Sequence, residues 1–283
     1  MVAQVSFNMG AAFAKQLFPL VGAGGVTLLR ITIAAVILMA WRRPWRRPVP
    51  RALWAGLLAY GGVLGLMNFL IYQAFSHIPI GIAVGVEVTG PLAIVVFASR
   101  SLRDFLWLGC AIGGLALLLP WHADRALDPF GLLLAGGAAL CWACYIVFGR
   151  RVAGTLGTDA AAWGMVVASA IMAPTLFPFV ASPALWSPHA LGMGLIIATM
   201  CSALPYALEM EAMRRLPTHV FGMLLSAAPA VSAIMAWLVI GERLTATQWL
   251  AIGLIVVASA GAAANSGRRG GPQAASSSGT KSG

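Results

Sequence analysis

Apolar runs of about twenty residues, separated by short and mostly basic loops, recur along this chain, and no other feature limits its fold so strongly. A helix rises about 1.5 Å per residue and the hydrocarbon layer of a bilayer is about 30 Å thick, so about twenty residues make one crossing. Such runs lie near 2–18, 22–41, 53–75, 80–99, 105–120, 130–149, 160–180, 190–212, 218–240 and 248–264. Composition closes the soluble alternative. The 283 residues are 60% apolar and only 9% charged, against about 25% charged in an ordinary soluble domain. That is too little polar surface to coat a water-soluble fold and far too much apolar surface for a disordered chain. The expected fold class is an all-α integral membrane protein with ten transmembrane helices.

The first run is the weakest. It is only 17 residues long and holds Gln4, Asn8 and Lys15, so either the chain starts further upstream or this helix is buried behind its neighbours. Pro174 and Pro178 blur the end of the seventh run. The tail from Asn265 is rich in Gly and Ser and is expected to be disordered.

The net charge of +10 would suggest nucleic acid on a soluble domain. Here the basic residues sit between apolar runs, and they report orientation. With the N-terminus inside, the inner loops and tail hold 14 Lys and Arg, among them Arg42, Arg43, Arg46, Arg47, Arg51, Arg150, Arg151, Arg214 and Arg215, and the outer loops hold only Arg125 and Arg243. Losing one crossing would scramble every later loop. Ten spans with both termini cytoplasmic follow from this count.

An internal repeat accompanies the pattern. At a shift of 138 residues, 72–96 overlies 210–234, Pro79 meets Pro217, Pro91 meets Pro229, and Asp104 meets Glu242. Five spans per copy is an odd number, so the copies insert with opposite orientation. Inverted repeats of this kind build carriers that expose one site alternately to each side.

Ionisable side chains inside apolar helices are functional candidates because burying them is costly. Arg30 and Glu87 each lie seven residues inward from an outer helix end, about 11 Å deep, and Asn68 reaches the same level. A cation, an anion and an amide at one depth suit a zwitterion, with Glu87 for its ammonium and Arg30 for its carboxylate. The plainer alternative is that Arg30 and Glu87 pair and staple two helices. Glu209, two residues deeper than Glu211, is placed to line the path, while Glu211 reads as an interfacial partner of Arg214 and Arg215. Lys15 is placed to snorkel to the outer face. Gly61-x-x-x-Gly65, Gly81-x-x-x-Gly85 and Gly109-x-x-x-Gly113 predict close helix approaches. Pro91, Pro205 and Pro229 free carbonyls inside spans and permit bending. Trp41, Trp45, Trp54, Trp121 and Trp186 read as interface anchors.

No enzyme motif is present. His77, His122, His189 and His219 lack zinc-site spacing, and the chain has neither a G-x-S-x-G elbow nor a phosphate-binding loop. Cys110, Cys141, Cys144 and Cys201 lie in apolar runs, where nothing lowers a thiol pKa, and are expected to be packing residues. No catalytic residues, cofactor or metal are expected, and transport would be driven by a gradient. A membrane enzyme or scaffold would need a cluster of His, Asp or Cys at one level, which the pattern lacks. The remaining alternative is a multidrug or organic-cation exporter, which a buried Arg beside the Glu disfavours.

The runs AKQLFPLVGAGGVTLLR (14–30), MNFLIYQAFSHIPIGIAVGVEVTGPLAIVVFASR (67–100), CWACYIVFGRR (141–151), ALPYALEMEAMRRLPTHVFGMLLSAAPA (203–230) and GERL (241–244) resemble the EamA branch of the drug/metabolite transporter superfamily. The resemblance covers nearly the whole chain. It implies two inverted EamA repeats, 1–120 and 130–264, followed by a disordered cytoplasmic tail, 265–283. It further implies an inner-membrane exporter of small amino acids of the threonine/homoserine kind, or of related metabolites, driven by the proton gradient. The family pattern also has Glu at the positions of Glu87 and Glu209. With Tyr72, Thr89 and Tyr206 from the same runs, the candidate binding or coupling set is Glu87, Arg30, Asn68, Tyr72, Thr89, Tyr206, Glu209 and Lys15. Expected partners are a small-molecule substrate, protons and membrane lipids, with no nucleic acid and a homodimer left open. The pattern carries an acid where this chain has Ala228 and an apolar residue where it has Glu211, and its first helix is longer; these departures bear on the substrate rather than on the fold.

Overall fold

A computed structural model describes residues 2–46, 49–98, 102–118, 127–205, 208 and 227–269, and among them there is no β-strand. The first helix, α1 (Val2–Arg42), runs for 41 residues, about 61 Å and twice the thickness of a bilayer core. Gly22 divides it at φ 70° and ψ 166°, a backbone conformation that a residue with a Cβ resists. Pro19, three residues earlier, has already weakened the ladder. The break falls where the first two apolar runs were expected to part. The first half is packed inside the bundle along Ser6, Asn8, Gly10, Ala11, Ala12, Ala14 and Leu17, so of the polar residues that made it a weak span Asn8 is enclosed by protein, and Gln4 and Lys15 are half-buried.

After α1 come α2 (Trp54–His77), α3 (Ile80–Glu87), α4 (Thr89–Ala98), α5 (Leu102–Leu118), α6 (Pro129–Leu156), α7 (Asp159–Val180), α8 (Pro188–Ala198), α9 (Ala228–Ile240) and α10 (Ala246–Arg269). Four segments among the described residues are long and apolar enough to cross a bilayer alone: Val2–Arg42, Arg51–His77, Pro129–Leu156 and Asp159–Val180. Shorter apolar helices are Ile80–Ile94, Pro188–Ala203, Ala228–Ile240 and Ala246–Ala262. Two helices differ from expectation at their ends. α7 runs through Pro174 and Pro178 to Val180. α10 continues to Arg269, past the boundary expected at Asn265, and cations in a last turn suit the negative end of the helix dipole.

One apolar cluster holds the bundle together, with Leu17, Val26, Tyr72, Phe75, Ile80, Ile82, Leu185, Ile197 and Ile255 buried in it. Close backbone approaches explain two of the three small-residue motifs. A Cβ on Gly61 would sit 2.5 Å from Val167, on α7, and one on Gly81 would sit 2.6 Å from Ala233, on α9. Gly109 and Gly113 meet nothing within 4 Å, whereas the adjacent Gly114 faces the Ala251 carbonyl of α10 at 2.9 Å. On α5 the close approach is therefore made by Gly114 and not by the expected Gly109 and Gly113. Outward, Val36, Leu133, Leu140 and Phe179 are 64%, 70%, 67% and 86% exposed, an apolar surface that only lipid would cover without penalty. Trp41, Trp45, Trp54 and Trp186 are exposed, as interface anchors should be; Trp121 lies outside the described residues.

Charged contacts gather at helix ends. Asp128 caps α6 by accepting the Phe130 N–H at 2.9 Å, and Pro129 supplies a first helical position that needs no donor. The same carboxylate meets Nδ1 of His77, in the last turn of α2, at 2.6 Å. At the opposite helix ends, Arg42 donates to Thr158 and lies 3.3 Å from Asp159.

Two predictions follow from these contacts. Gly61→Ala should lower the apparent melting temperature in detergent, by an overpacking cost of ~1–3 kcal/mol, and Gly109→Ala should leave it unchanged. Asp128 is held below its ordinary pKa of 3.8, first by the Phe130 N–H and then by His77. A depressed carboxylate stabilises the fold above its ordinary value and loses that contribution as pH falls through the lower folded value. Melting curves between pH 5 and about 3 should therefore be flatter for Asp128→Ala than for the parent.

Candidate functional site

The centre of the bundle is organised by Pro205. A proline cannot donate from its backbone, so in an α register the Cys201 carbonyl loses its partner, and in a π register the Met200 carbonyl does. The helix answers with a π turn over Thr199–Ala203, in which the Leu204 N–H bonds back to Thr199. Side chains of α1 donate to both of these carbonyls. Ser6 Oγ donates to the Met200 carbonyl at 2.9 Å, and Arg30 Nη2 donates to the Cys201 carbonyl at 3.1 Å. Arg30 Nε also reaches Ser202 Oγ at 3.3 Å. Both halves of α1 are thereby fastened to one irregular turn.

The guanidinium of Arg30 lies between two rings, 5.4 Å from the Phe7 centroid and 5.1 Å from that of Tyr72, a geometry in which aromatic faces attract a cation. Tyr72 is itself packed against Phe18 and Phe75, and its hydroxyl is 3.6 Å from Cys201 Sγ. The thiol in turn donates to the Phe7 carbonyl at 3.3 Å. Gly10 permits this closeness, since a Cβ there would stand 2.5 Å from the Cys201 sulfur. Arg30, Tyr72, Cys201 and Ser202 are all buried. A charge enclosed this way needs dedicated partners.

Glu87 is the last residue of α3 and is buried at the break between α3 and α4. Pro91 withholds the N–H that would have closed on the Glu87 carbonyl, and the break at Val88 follows. Thr89 Oγ1 bonds back to the Val86 carbonyl at 2.6 Å, bridging that break. Gly90 lets α4 press directly on the Ala139 carbonyl of α6. Glu87 lies within electrostatic range of Arg30 and of Cys141. The described ion pairs are Lys15–Glu242, Arg42–Asp159 and His77–Asp128. Asn68 is buried nearby in sequence to Tyr72, with its amide N–H turned onto its own helix at the Leu64 carbonyl, 2.7 Å away.

The structure thus gathers Arg30 and Tyr72 with Cys201 and Ser202, and sets Glu87 within their field. Lys15 belongs elsewhere: its ammonium pairs with Glu242 at 2.7 Å. Tyr206, Glu209 and Glu211 lie outside the described residues. Ser6, Cys201, Ser202 and Asn8 were not singled out from sequence. The signal lay in Cys201 and Met200, four and five residues before Pro205, whose carbonyls Arg30 and Ser6 meet. Asn8 is 1% exposed and its Oδ1 has no donor among the described residues. Among the described residues no three His, Cys, Asp or Glu side chains gather as a metal site would require.

Long apolar helices broken at their centres, with charged groups at the breaks, define a membrane transporter bundle. The comparisons with known proteins agree. Residues 129–263 match the EamA-like transporter family. The chain is 44% identical over 262 residues to the threonine/homoserine exporter RhtA of Escherichia coli strain K12, covering 92% of this chain and 88% of that one. It matches RhtA of Salmonella typhimurium strain LT2 to the same extent. It is 27% identical to YedA of Escherichia coli strain K12, described as an uncharacterized inner membrane transporter, over 83% of this chain and 76% of that one. A solved crystal structure superposes with a TM-score of 0.63 at 21% identity, covering 95% of this chain and 98% of that chain, and so shares the fold. The chain belongs to the EamA-like transporter family, a family of carriers rather than enzymes.

The π-turn account makes a quantitative prediction. Arg30→Met should destabilise the protein by about 1–3 kcal/mol through the carbonyl it abandons. In a Pro205→Ala background, where the restored N–H supplies a donor, the same change should cost less. Thermal unfolding of the four proteins in detergent measures the coupling, and an equal loss in both backgrounds would show that Pro205 does not create the acceptor.

Proposed function

We propose that this protein exports small amino acids of the threonine/homoserine kind across the inner membrane, coupled to protons. The observation that carries the reading is its 44% identity to exporters named for threonine and homoserine across 92% of its own length. In this reading the chain crosses the membrane ten times as two inverted five-helix repeats, 1–120 and 130–264, with both termini and the tail 265–283 in the cytoplasm. The sidedness of the ion pairs supports it. Lys15 and Glu242 both fall on the side expected to be outer, as do His77 and Asp128, and Arg42 and Asp159 both fall on the inner side.

Within the bundle, Glu87 is the titratable group that couples transport to protons and meets the substrate's ammonium. A carboxyl at a helix break, in the field of a buried guanidinium, changes its charge at low structural cost. Arg30 supplies that field and holds the π turn, its donors being already directed at Cys201 and Ser202. Tyr72, Thr89 and Asn68 shape the surroundings of Glu87, and in this reading Tyr206 and Glu209 contribute to the same path. A zwitterion suits this mixed charge better than an organic cation does, since a buried Arg repels the latter.

The test is Glu87→Gln in proteoliposomes. It should leave the melting temperature within a few degrees of the parent and abolish the pH dependence of labelled threonine efflux. Unchanged pH-dependent efflux would take Glu87 out of the coupling step. Counterflow with a panel of labelled amino acids, set beside organic cations, tests the substrate class directly.

A further inference from the structure

Both carboxylate oxygens of Glu242 are engaged by other parts of the bundle. Oε1 meets Lys15 Nζ at 2.7 Å, and Oε2 accepts the Ile80 N–H at 2.9 Å. Beside them, Gln16 Nε2 donates to the Val239 carbonyl at 3.3 Å. The contact therefore ties the first half of α1, the start of α3 and the linker between α9 and α10.

The sequence prepares each part. Gly241, in the left-handed conformation at φ 69°, ends α9 and turns the chain. Ile80 follows Pro79 and opens α3, so its N–H has no acceptor within the helix, and a carboxylate suits the positive end of that helix. Lys15 extends from the last turns before the Gly22 break.

We propose that the Lys15–Glu242–Ile80 contact is the outer closure of the transport path and opens once in each transport cycle. The inference rests on the ten-pass reading above, which puts all three residues at the outer face and divides them between the two repeats. Exposure separates this contact from that of Arg30. The Lys15 and Glu242 side chains are 25% and 14% exposed, so water can take over both charges as they part. Arg30 is 2% exposed, and releasing it would strand a buried charge with its donors to the Cys201 carbonyl and the Ser202 hydroxyl. Of these two links between the first and second halves of the chain, the exposed one at the outer face is built to break and the buried one to hold.

The experiment reads labelling of single introduced cysteines by a membrane-impermeant maleimide in intact cells, relative to the parent chain with its native cysteines. Ile80→Cys reports the closed contact, since Ile80 is fully buried beneath it. Arg243→Cys, on the exposed linker, controls for sidedness. Ile80→Cys should label slowly in the parent and several-fold faster with Glu242→Gln or Lys15→Gln. The charge exchange Lys15→Glu with Glu242→Lys should bring it part of the way back. Unchanged labelling of Ile80→Cys in both Glu242→Gln and Lys15→Gln, with Arg243→Cys labelled, overturns the closure and leaves the exporter reading standing. Labelling of Arg243→Cys only after permeabilisation overturns the topology and the closure with it. Lys15→Gln keeps the carboxylate on the Ile80 N–H, so it serves if Glu242→Gln fails to fold as judged by size-exclusion of the detergent-extracted protein.

Discussion

Pro205 cannot donate a backbone hydrogen bond, and inside an apolar bundle the carbonyls it leaves behind have no water to turn to. That constraint runs through the centre of the structure. α8 widens into a π turn, and Ser6 and Arg30 supply the missing donors. Because those two residues stand on opposite sides of the Gly22 break, one defect in α8 fixes the position of two helical segments. Gly10 can then lie against Cys201, and Phe7 and Tyr72 close over the guanidinium. Replacing the arginine with an apolar residue would remove a costly buried charge, yet it would also leave an orphaned carbonyl, so the charge is retained by the backbone it satisfies.

The other charged contacts obey a different rule. Lys15–Glu242, His77–Asp128 and Arg42–Asp159 all lie at helix ends and are partly exposed, where desolvation is mild and each pair contributes little to stability. They select which helix end meets which. Asp128 joins capping and pairing in one side chain, so α2 is held where α6 begins. Stability comes instead from apolar packing and from backbones brought close at Gly61 and Gly81.

Periodicity and charge made the helical membrane class legible, because lipid imposes length and polarity on every span independently. The parting of α1 at Gly22 was visible for the same reason. The burial of Arg30 and Glu87 could be read from their depth, but their partners could not. Arg30 meets Ser202 across 172 residues of sequence, and Lys15 meets Glu242 across 227; such contacts depend on how helices rotate about their axes, which spacing leaves open. The motif on α5 shows the same limit, since the glycine that packs is Gly114 rather than Gly113. Pro205 was read as a point of bending. Its sharper meaning, that two named carbonyls four and five residues earlier need donors, required only the offset, and the donors' identity required the fold.

The mechanics of the bundle follow from which polar contacts water can replace. A segment whose carbonyls are satisfied only by another helix cannot move away from it without a large penalty, so α8 and both halves of α1 near the π turn behave as one block. Glu87 stands at a break in a different element, between α3 and α4, bridged by Thr89. Any movement of α3 and α4 against that block therefore changes the separation of Glu87 from Arg30 while leaving Arg30 in place. Their attraction varies inversely with distance and is strong where water is excluded, so such motion would alter the charge Glu87 prefers, and protonation would in turn alter the preferred arrangement. In the proton-coupled reading proposed above, one distance links a proton to that movement, with no relay of further residues needed.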